Sequence, residues 1–535
     1  MEAAVPKRPA ETGERLSAGV RLRDVRDGAI LIEYPKLSDE QANLGARSLA
    51  RRLRSRAGSG LRDAVPGART LLVLFDPARL RRERLAEEIE REGSLDPREE
   101  GPRRRIRIPV VYDGEDLAEL SRERGLSTEE FVRRHAAGSY RVAFIGFAPG
   151  FPYLVGLPPE LSAARLSAPR TRVPAGSVAI GGSYTGIYPA EMPGGWRLIG
   201  RTAVVLFDGD ADPPSLLSPG DEVRFEGVGA QRPLPAPARV GARPPAGRSV
   251  FRVREPGVFT SIQGAPRFGL GSWGVPTGGA MDVASLARAN GLVGNATGAP
   301  ALEISRVGPA LEALEPSRVA VSGADCSVEL GGRPVSSGTA FSVERGERLR
   351  LGRTKNGARA YLAIRGGLAA SGRAPTATRR LQAEDEIRLA EGPSFDGQTM
   401  PSDPAAEPCL RVILGPQSAH FSDTAVERFL STVWRVSQES DRRGLRLEGW
   451  HLEHLLAPEI APEGTVYGSI QVPANGLPIV LGADGPVTGG YPKIATVVEA
   501  DLPSLGQAEP GSALRFRAVP LAEALSARQA LRVRH

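Results

Sequence analysis

The residues best suited to chemistry lie in two short stretches. In Pro169-Arg170-Thr171-Arg172-Val173-Pro174-Ala175-Gly176-Ser177, two guanidinium groups, a hydroxyl and glycine backbone amides converge on one turn. Such donors can hold a carboxylate, carbonate or phosphate. In an arginine-rich chain the same arginines are equally readable as solvated surface charge, and both readings stand at this level. The second stretch places Gln471, Asp484, Tyr491 and Lys493 around a similar turn. Lys493 draws notice because only Lys7, Lys36, Lys355 and Lys493 are lysines among 69 Lys plus Arg, which suggests that a compact ammonium is wanted there.

A histidine adds an acid–base candidate. His135 ends a helical stretch just ahead of Gly146-Phe147-Ala148-Pro149-Gly150-Phe151-Pro152-Tyr153-Leu154, the densest Gly-Pro-aromatic loop of the chain. An imidazole at a helix end is either a cap or a proton carrier. The expected catalytic set is therefore His135, Arg170 and Lys493. The expected binding set is Phe147, Pro149, Gly150, Phe151, Arg172, Pro174, Ser177, Tyr188, Gln471, Asp484 and Tyr491. No metal site is expected: His451 and His454 are three apart, but no carboxylate or cysteine motif completes a ligand set.

The two stretches share a pattern. Val173-Pro174-Ala175 leads to Thr185-Gly186-Ile187-Tyr188-Pro189, and Val472-Pro473-Ala474 leads to Thr488-Gly489-Gly490-Tyr491-Pro492. This repetition predicts two related domains in tandem. It also predicts an active surface where Arg170, Arg172 and Tyr188 of one copy face Gln471, Tyr491 and Lys493 of the other.

The elements that must position these residues follow from periodicity and punctuation. With 535 residues, 63 Gly and 46 Pro, the chain is expected to hold several domains rich in short strands. A polar, disordered tail is expected over 1–17. A ferredoxin-like α/β unit follows over 18–100, with strands at 29–34 and 70–75 and helices at 38–56 and 77–92. A first β-rich domain is expected over 101–227, with strands at 106–112, 140–146, 177–180, 203–207 and 222–225. Its helix over 127–135 has Ser127 as N-cap and Glu130 as capping-box partner. The proline-rich run over 228–249 reads as a stiff linker, a second β-rich domain over 250–519 carries helices at 280–292 and 424–431, and a last helix lies within 520–535.

Several chemistries are argued against. No G-x-x-x-x-G-K-[ST], G-x-S-x-G or H-E-x-x-H is present. The G-x-G-x-x-G at Gly269 to Gly274 has no clean buried strand leading in and has Pro276 before its helix, so it is not read as a dinucleotide fingerprint. The arginine excess, with few aromatics near Arg51 to Arg54 or Arg103 to Arg105, does not argue for nucleic acid. No apolar run of membrane-spanning length or signal-like segment occurs, so a soluble cytoplasmic protein is expected. Cys326 and Cys409 read as small core residues.

At family level, G-F-A-P-G-F-P-Y-L-V-G-L, P-R-T-R-V-P-A-G-S-V-A-I-G-G and P-G-G-W-R-L-I-G-R-T resemble subunit 1, the KipI-like part, of the 5-oxoprolinase/urea amidolyase (allophanate hydrolase) family. G-V-P-T-G-G-A-M-D, N-G-L-V-G-N, Y-L-A-I-R-G-G-L and T-G-G-Y-P-K-I-A-T-V resemble subunit 2, the KipA-like part. The resemblance implies a mainly β fold with an N-terminal ferredoxin-like α/β unit followed by two cyclophilin-like β-barrel domains. It implies a fused B/C component of ATP-dependent 5-oxoprolinase, using ATP with Mg2+ and a separate A subunit to open a small-molecule amide, with self-association possible. It also allows a carboxyltransferase fed by biotin on another chain, since no Ala-Met-Lys-Met attachment sequence occurs here, or a KipI-like histidine-kinase regulator.

Overall fold

The computed structural model describes residues 14–16, 19–56, 60–92, 104–229, 246–370, 378–390 and 409–534. The expected tail over 1–17 lies outside these residues apart from 14–16, where Glu14–Arg15 pairs with the following strand. The expected linker lies outside them over 230–245, as does Arg103 of the basic run. Among the described residues no helix is long and apolar enough to cross a membrane.

In the N-terminal unit, Arg21–Arg26, Ala29–Glu33, Thr70–Phe75 and Leu61–Pro66 lie side by side in that order, all antiparallel. This is a ferredoxin-like layer in which Arg21–Arg26, edged by the short Glu14–Arg15 strand, comes from ahead of the first helix. Strands such as TLLVLF are unbroken apolar runs because both sheet faces are covered. Ile30, Ile32, Leu71 and Val73 pack under helices Asp39–Arg56 and Arg82–Glu92, while Ala29, Leu31, Leu72 and Leu74 pack toward Val466 in the second half. The second helix starts at Arg82 rather than at 77. Asp76 closes a turn there, its Oδ1 accepting from the Ala78 N–H at 3.1 Å and its carbonyl from Arg79 and Leu80.

Two seven-stranded barrels follow the same path. The first uses Arg105–Val110, Tyr140–Ile145, Pro152–Val155, Ser177–Gly181, Tyr184–Ile187, Arg197–Arg201 and Glu222–Gly227. The second uses Cys409–Leu414, Trp434–Val436, Gly444–Glu448, Ser469–Gln471, Ile479–Leu481, Lys493–Val497 and Ala513–Ala518. Numbered by chain order, the strands of both run first, sixth, fourth, fifth, third, second, seventh, and in both the seventh is parallel to the first. The second barrel is closed; the first is joined between its first and sixth strands by the Val111↔Arg201 bridge. Each carries a two-stranded appendage: Arg170–Val173 with Met192–Gly194, and Glu463–Gly464 with Thr488–Gly489. Residues 203–206, expected as a strand, form none, because Leu206 instead accepts from Leu216 to close a loop.

Between the barrels, residues 249–388 form a six-stranded sheet packed on a five-stranded one around Phe251, Ile304, Val321 and Leu362. Helix Val283–Val293, capped by Asp282, covers the outer face of the five-stranded sheet through Leu286, Ala289 and Val293. Cys326 and Cys409 are free and half-buried rather than fully in the core.

The candidate active site at the seam of the two halves

The loop between the second and third strands of the first barrel is a tight, self-bonded turn. The Gly146 N–H donates to Phe151 O at 3.1 Å and the Phe151 N–H to Ala148 O at 3.0 Å. Phe147 sits at φ +65° and Gly150 at φ +77°, so the sequence G-F-A-P-G-F is shaped for left-handed turns. This loop is wedged into the second half. The Phe147 N–H donates to Thr488 Oγ1 at 3.2 Å, and the Gly150 N–H to Trp273 O at 2.9 Å. Gly146 has no alternative, since a Cβ there would lie 1.8 Å from Thr488 Oγ1.

Trp273 belongs to the G-x-G-x-x-G segment, and the N-terminal unit holds that segment. Asp63, buried, accepts from the Gly269 and Gly271 amides at 3.0 and 2.9 Å. The glycine amides there face a carboxylate of this chain.

Below Thr488 lies a buried polar cluster. Lys493 is fully buried and its ammonium is bonded to the Glu463 carboxylate, which also accepts from Gln417 Nε2 at 2.8 Å. Gln471 is the register partner of Lys493 on the adjacent strand and is itself buried, its Nε2 without a hydrogen-bond partner among the described residues. His420 is within electrostatic reach of Lys493 and Glu463, and burial lowers its pKa.

A second cluster stands on the other side of Ala483. Arg442, buried, donates to Asp484 at 2.8 and 2.9 Å, to Gly279 O at 2.7 Å and to Glu303. Glu303 in turn accepts from the Met281 N–H at 2.8 Å and Tyr361 OH at 2.7 Å. Arg267 lies beside Asp484, its backbone N–H donating to Thr277 O at 2.8 Å, and its buried Nε has no hydrogen-bond partner among the described residues. Burial lowers its pKa, with Asp484 acting against that.

A mainly apolar cavity of about 150 Å³ lies between the N-terminal unit and the second half, lined by Phe268, Met281, Thr465, Ala483 and Pro486 and by the charged residues Arg26, Arg62, Asp63 and Glu499. Arg26 and Arg62 both pair with Glu499, at 3.3 and 3.4 Å, so the charged rim is a set of ion pairs, and the apolar lining strengthens electrostatic interaction with whatever small group enters.

The structure unites some of the expected residues and separates others. Phe147, Gly150 and Phe151 meet the Thr488 strand, while Gln471 and Lys493 share one cluster and Asp484 joins the other. His135 is not placed for catalysis. It is fully buried in the first barrel, with Nδ1 against Tyr112 OH at 2.8 Å and Nε2 against Thr185 Oγ1 at 3.1 Å, and burial pushes its pKa down to about 3. Arg170 is tied to Asp116 at 2.7 Å, and Arg172 lies exposed against Glu191 at 2.7 Å, so the two do not form a free anion site facing the second copy. Pro174 and Ser177 close their own turn, Ser177 Oγ donating to Pro174 O at 2.8 Å. Tyr188 is buried against Phe151 in an aromatic cluster, Pro149 is half-buried in the seam loop, and Tyr491 is half-buried beyond Thr488. Glu463, Gln417, Arg267, Arg442 and Glu303 were not legible as site residues, having no motif spacing of their own.

The tandem motif is corrected as well. V-P-A precedes the fourth strand of the first barrel but follows the fourth strand of the second. T-G-x-Y-P begins in the fifth strand of the first barrel, whereas in the second it begins in the appendage that leads to the sixth strand. The real repeat is the strand order.

Residues 20–217 match the family described as carboxyltransferase domain, subdomain C and D, and residues 273–518 match carboxyltransferase domain, subdomain A and B. The chain is 46% identical to the 5-oxoprolinase B subunit of Escherichia coli O157:H7 over 30% of its own length and 76% of that protein. It is 33% identical to the 5-oxoprolinase C subunit of Escherichia coli strain K12 over 52% of its own length and 94% of that protein. The crystal structure of TTHA0988 superposes with a TM-score of 0.79 at 37% identity, covering 91% of this chain and 99% of that one. The chain belongs to the carboxyltransferase-domain family and joins, in one polypeptide, a part related to the B component of 5-oxoprolinase and a part related to its C component.

Proposed function

We propose that the chain is a fused B/C component of an ATP-dependent 5-oxoprolinase, which opens the lactam of 5-oxoproline (pyroglutamate) to L-glutamate together with a separate A subunit. The observation that supports this is a cavity lined jointly by the two fused parts: Arg62, Asp63 and Val65 come from the B-like part and Phe268, Thr465 and Pro486 from the C-like part. ATP supplies the phosphoryl group that activates the amide oxygen in this reading. For its Mg2+, the described residues offer no group of three carboxylate, imidazole or thiolate ligands, and no nucleotide contact is assigned to this chain. In this reading the chain encloses the small ring away from water, and Arg267, whose neighbours Pro266 and Phe268 line the cavity, supplies the guanidinium that meets charge developing on the amide oxygen. Removing one such donor costs about 3–4 kcal/mol of transition-state stabilisation. The test is conversion of pyroglutamate to glutamate with ATP hydrolysis by the purified chain plus a cognate A subunit; no turnover with any cognate A subunit overturns the reading.

A second reading, favoured by the carboxyltransferase description of both matched regions, is carboxyl transfer to urea or a similar small amide from biotin carried by another chain. Bicarbonate-dependent activity and a biotinylated partner on a streptavidin blot would select it; absence of any biotinylated partner excludes it.

A further inference from the structure

A second concavity, of about 470 Å³, opens between the two packed sheets of residues 249–388 and the second barrel, away from the seam. Four arginines line it: Arg306, Arg353, Arg359 and Arg442. Arg442 is neutralised by Asp484 and Glu303, and Arg359 is drawn toward Glu303 at 3.7 Å. Arg306 and Arg353 are different. Both are exposed, and among the described residues neither has a carboxylate partner, although the arginines on neighbouring strands do: Arg254 pairs with Glu312 and Glu384, and Arg350 with Glu255.

The two free guanidinium groups are carried on fixed backbone. Arg306 adopts φ +66°, a conformation that a residue with a long side chain rarely takes without a reason. Its carbonyl accepts from the Thr354 N–H at 2.7 Å, and the adjoining Val307↔Arg353 bridge locks the second arginine alongside. The carboxylates facing the groove, Asp441 and Glu509, are occupied by backbone N–H groups: Arg443 and Gly444 donate to Asp441 at 2.8 and 3.2 Å, and Gly357 to Glu509 at 2.5 Å. Beside Arg306 on the same wall lies an apolar patch: Val258, at 44% exposure, donates its N–H to Val307 O at 2.9 Å, and Phe259 is paired with Ser305.

We propose that this groove binds a phosphate monoester with a flat apolar body, the phosphate taken by Arg306 and Arg353 and the body laid on Val258 and Phe259. Two planar guanidinium forks match the several acceptor oxygens of a phosphate better than they match one carboxylate. The groove shares Arg442 with the cluster at Asp484 and Glu303, but the proposed phosphate contacts, Arg306 and Arg353, belong to neither cluster of the candidate active site.

Titration calorimetry of the full chain with phenyl phosphate, inorganic phosphate, benzoate and phenol tests it. Phenyl phosphate should bind more tightly than the other three and weaken as salt is raised. The R306A/R353A double variant should lose about tenfold or more of that affinity. Both side chains are exposed, so an unchanged thermal midpoint and circular dichroism spectrum would confirm that the variant is folded. Phenyl phosphate binding that is no tighter than inorganic phosphate or benzoate, or that is equal in the double variant, overturns the proposal. If the double variant fails to fold, R306K and R353K, which keep the charge and lose the fork, replace it; unchanged affinity in both then overturns the proposal.

Discussion

Gly146→Ala is the sharpest probe of the seam. The added Cβ would stand 1.8 Å from Thr488 Oγ1 and 2.8 Å from both Thr488 Cβ and Cγ2. None of these contacts is sustainable, and neither side can yield easily. Gly146 is held by its bond to Phe151 O, and Thr488 by its pairing with Gly464. Overpacking of this kind costs about 1–3 kcal/mol. Displacing Thr488 also breaks its bond from the Phe147 N–H, worth about 1 kcal/mol. The expected loss is therefore about 2–4 kcal/mol, concentrated at the seam. Hydrogen exchange at the Phe147 and Gly150 amides, followed in urea, reads that loss locally. Thr488→Gly removes every atom that the new Cβ would strike, so the double variant should recover at least about 1 kcal/mol relative to the sum of the single effects. A Gly146→Ala protein within about 0.5 kcal/mol of the parent, or strictly additive single effects, would refute the packing argument.

Lys493→Met leaves the buried Glu463 carboxylate with only Gln417 as partner, and loss of about 3–5 kcal/mol is expected in urea unfolding, partly restored when Glu463→Gln is added. His135 titrates at about 3 in the folded protein against an ordinary 6.5, so its contribution is whole above pH 6.5 and is lost as pH falls toward 3. His135→Leu, though destabilised at pH 7 by losing the bonds to Tyr112 and Thr185, should take up about one proton fewer on unfolding across that window, measured as a shallower acid limb of stability against pH. Arg267→Met should lower kcat of the reconstituted enzyme by about 10²–10³ while leaving the thermal midpoint near that of the parent; an unchanged kcat would remove Arg267 from the proposed chemistry.

What could be read in advance divides along physical lines. Thr70–Phe75, Ala29–Glu33 and the helix capped by Ser127 were legible because their signal is local: a doubly buried apolar run, or a hydroxyl accepting from the Glu130 N–H at 3.2 Å. Arg21–Arg26 and Leu61–Pro66 escaped notice because charged residues alternate through them. The GFAPGF loop stood out by composition alone, yet its partner Thr488 is 341 residues away, and no sequence spacing encodes that contact. The same holds for Arg442 and Glu303, which meet across 139 residues. His135 illustrates the opposite error: its position at a helix end beside a conspicuous loop is real, but the side chain turns into the barrel, where Phe225 stacks on it at 4.8 Å.

The barrels' common strand order also changes which residues should be compared between the copies. Matching T-G-x-Y-P to T-G-x-Y-P pairs Tyr188 with Tyr491 and leaves Lys493 without a counterpart. Matching sixth strand to sixth strand pairs Lys493 with Arg197, each the first residue of its strand. Arg197 reaches the barrel's outer edge and meets Glu119 and Glu123 at 3.0 Å, both largely solvent-exposed carboxylates. Lys493 has the shorter, compact head group and is closed off with a single buried carboxylate beneath the strand that receives the Phe147 loop. A guanidinium needs several acceptors arranged around its plane, whereas an ammonium can be satisfied in a smaller space. The rare lysine is thus explained by the seam: where one barrel gives its strand-leading cation, 12% exposed, two carboxylates to share, the other must fit it against one buried carboxylate under the contact that joins the two halves.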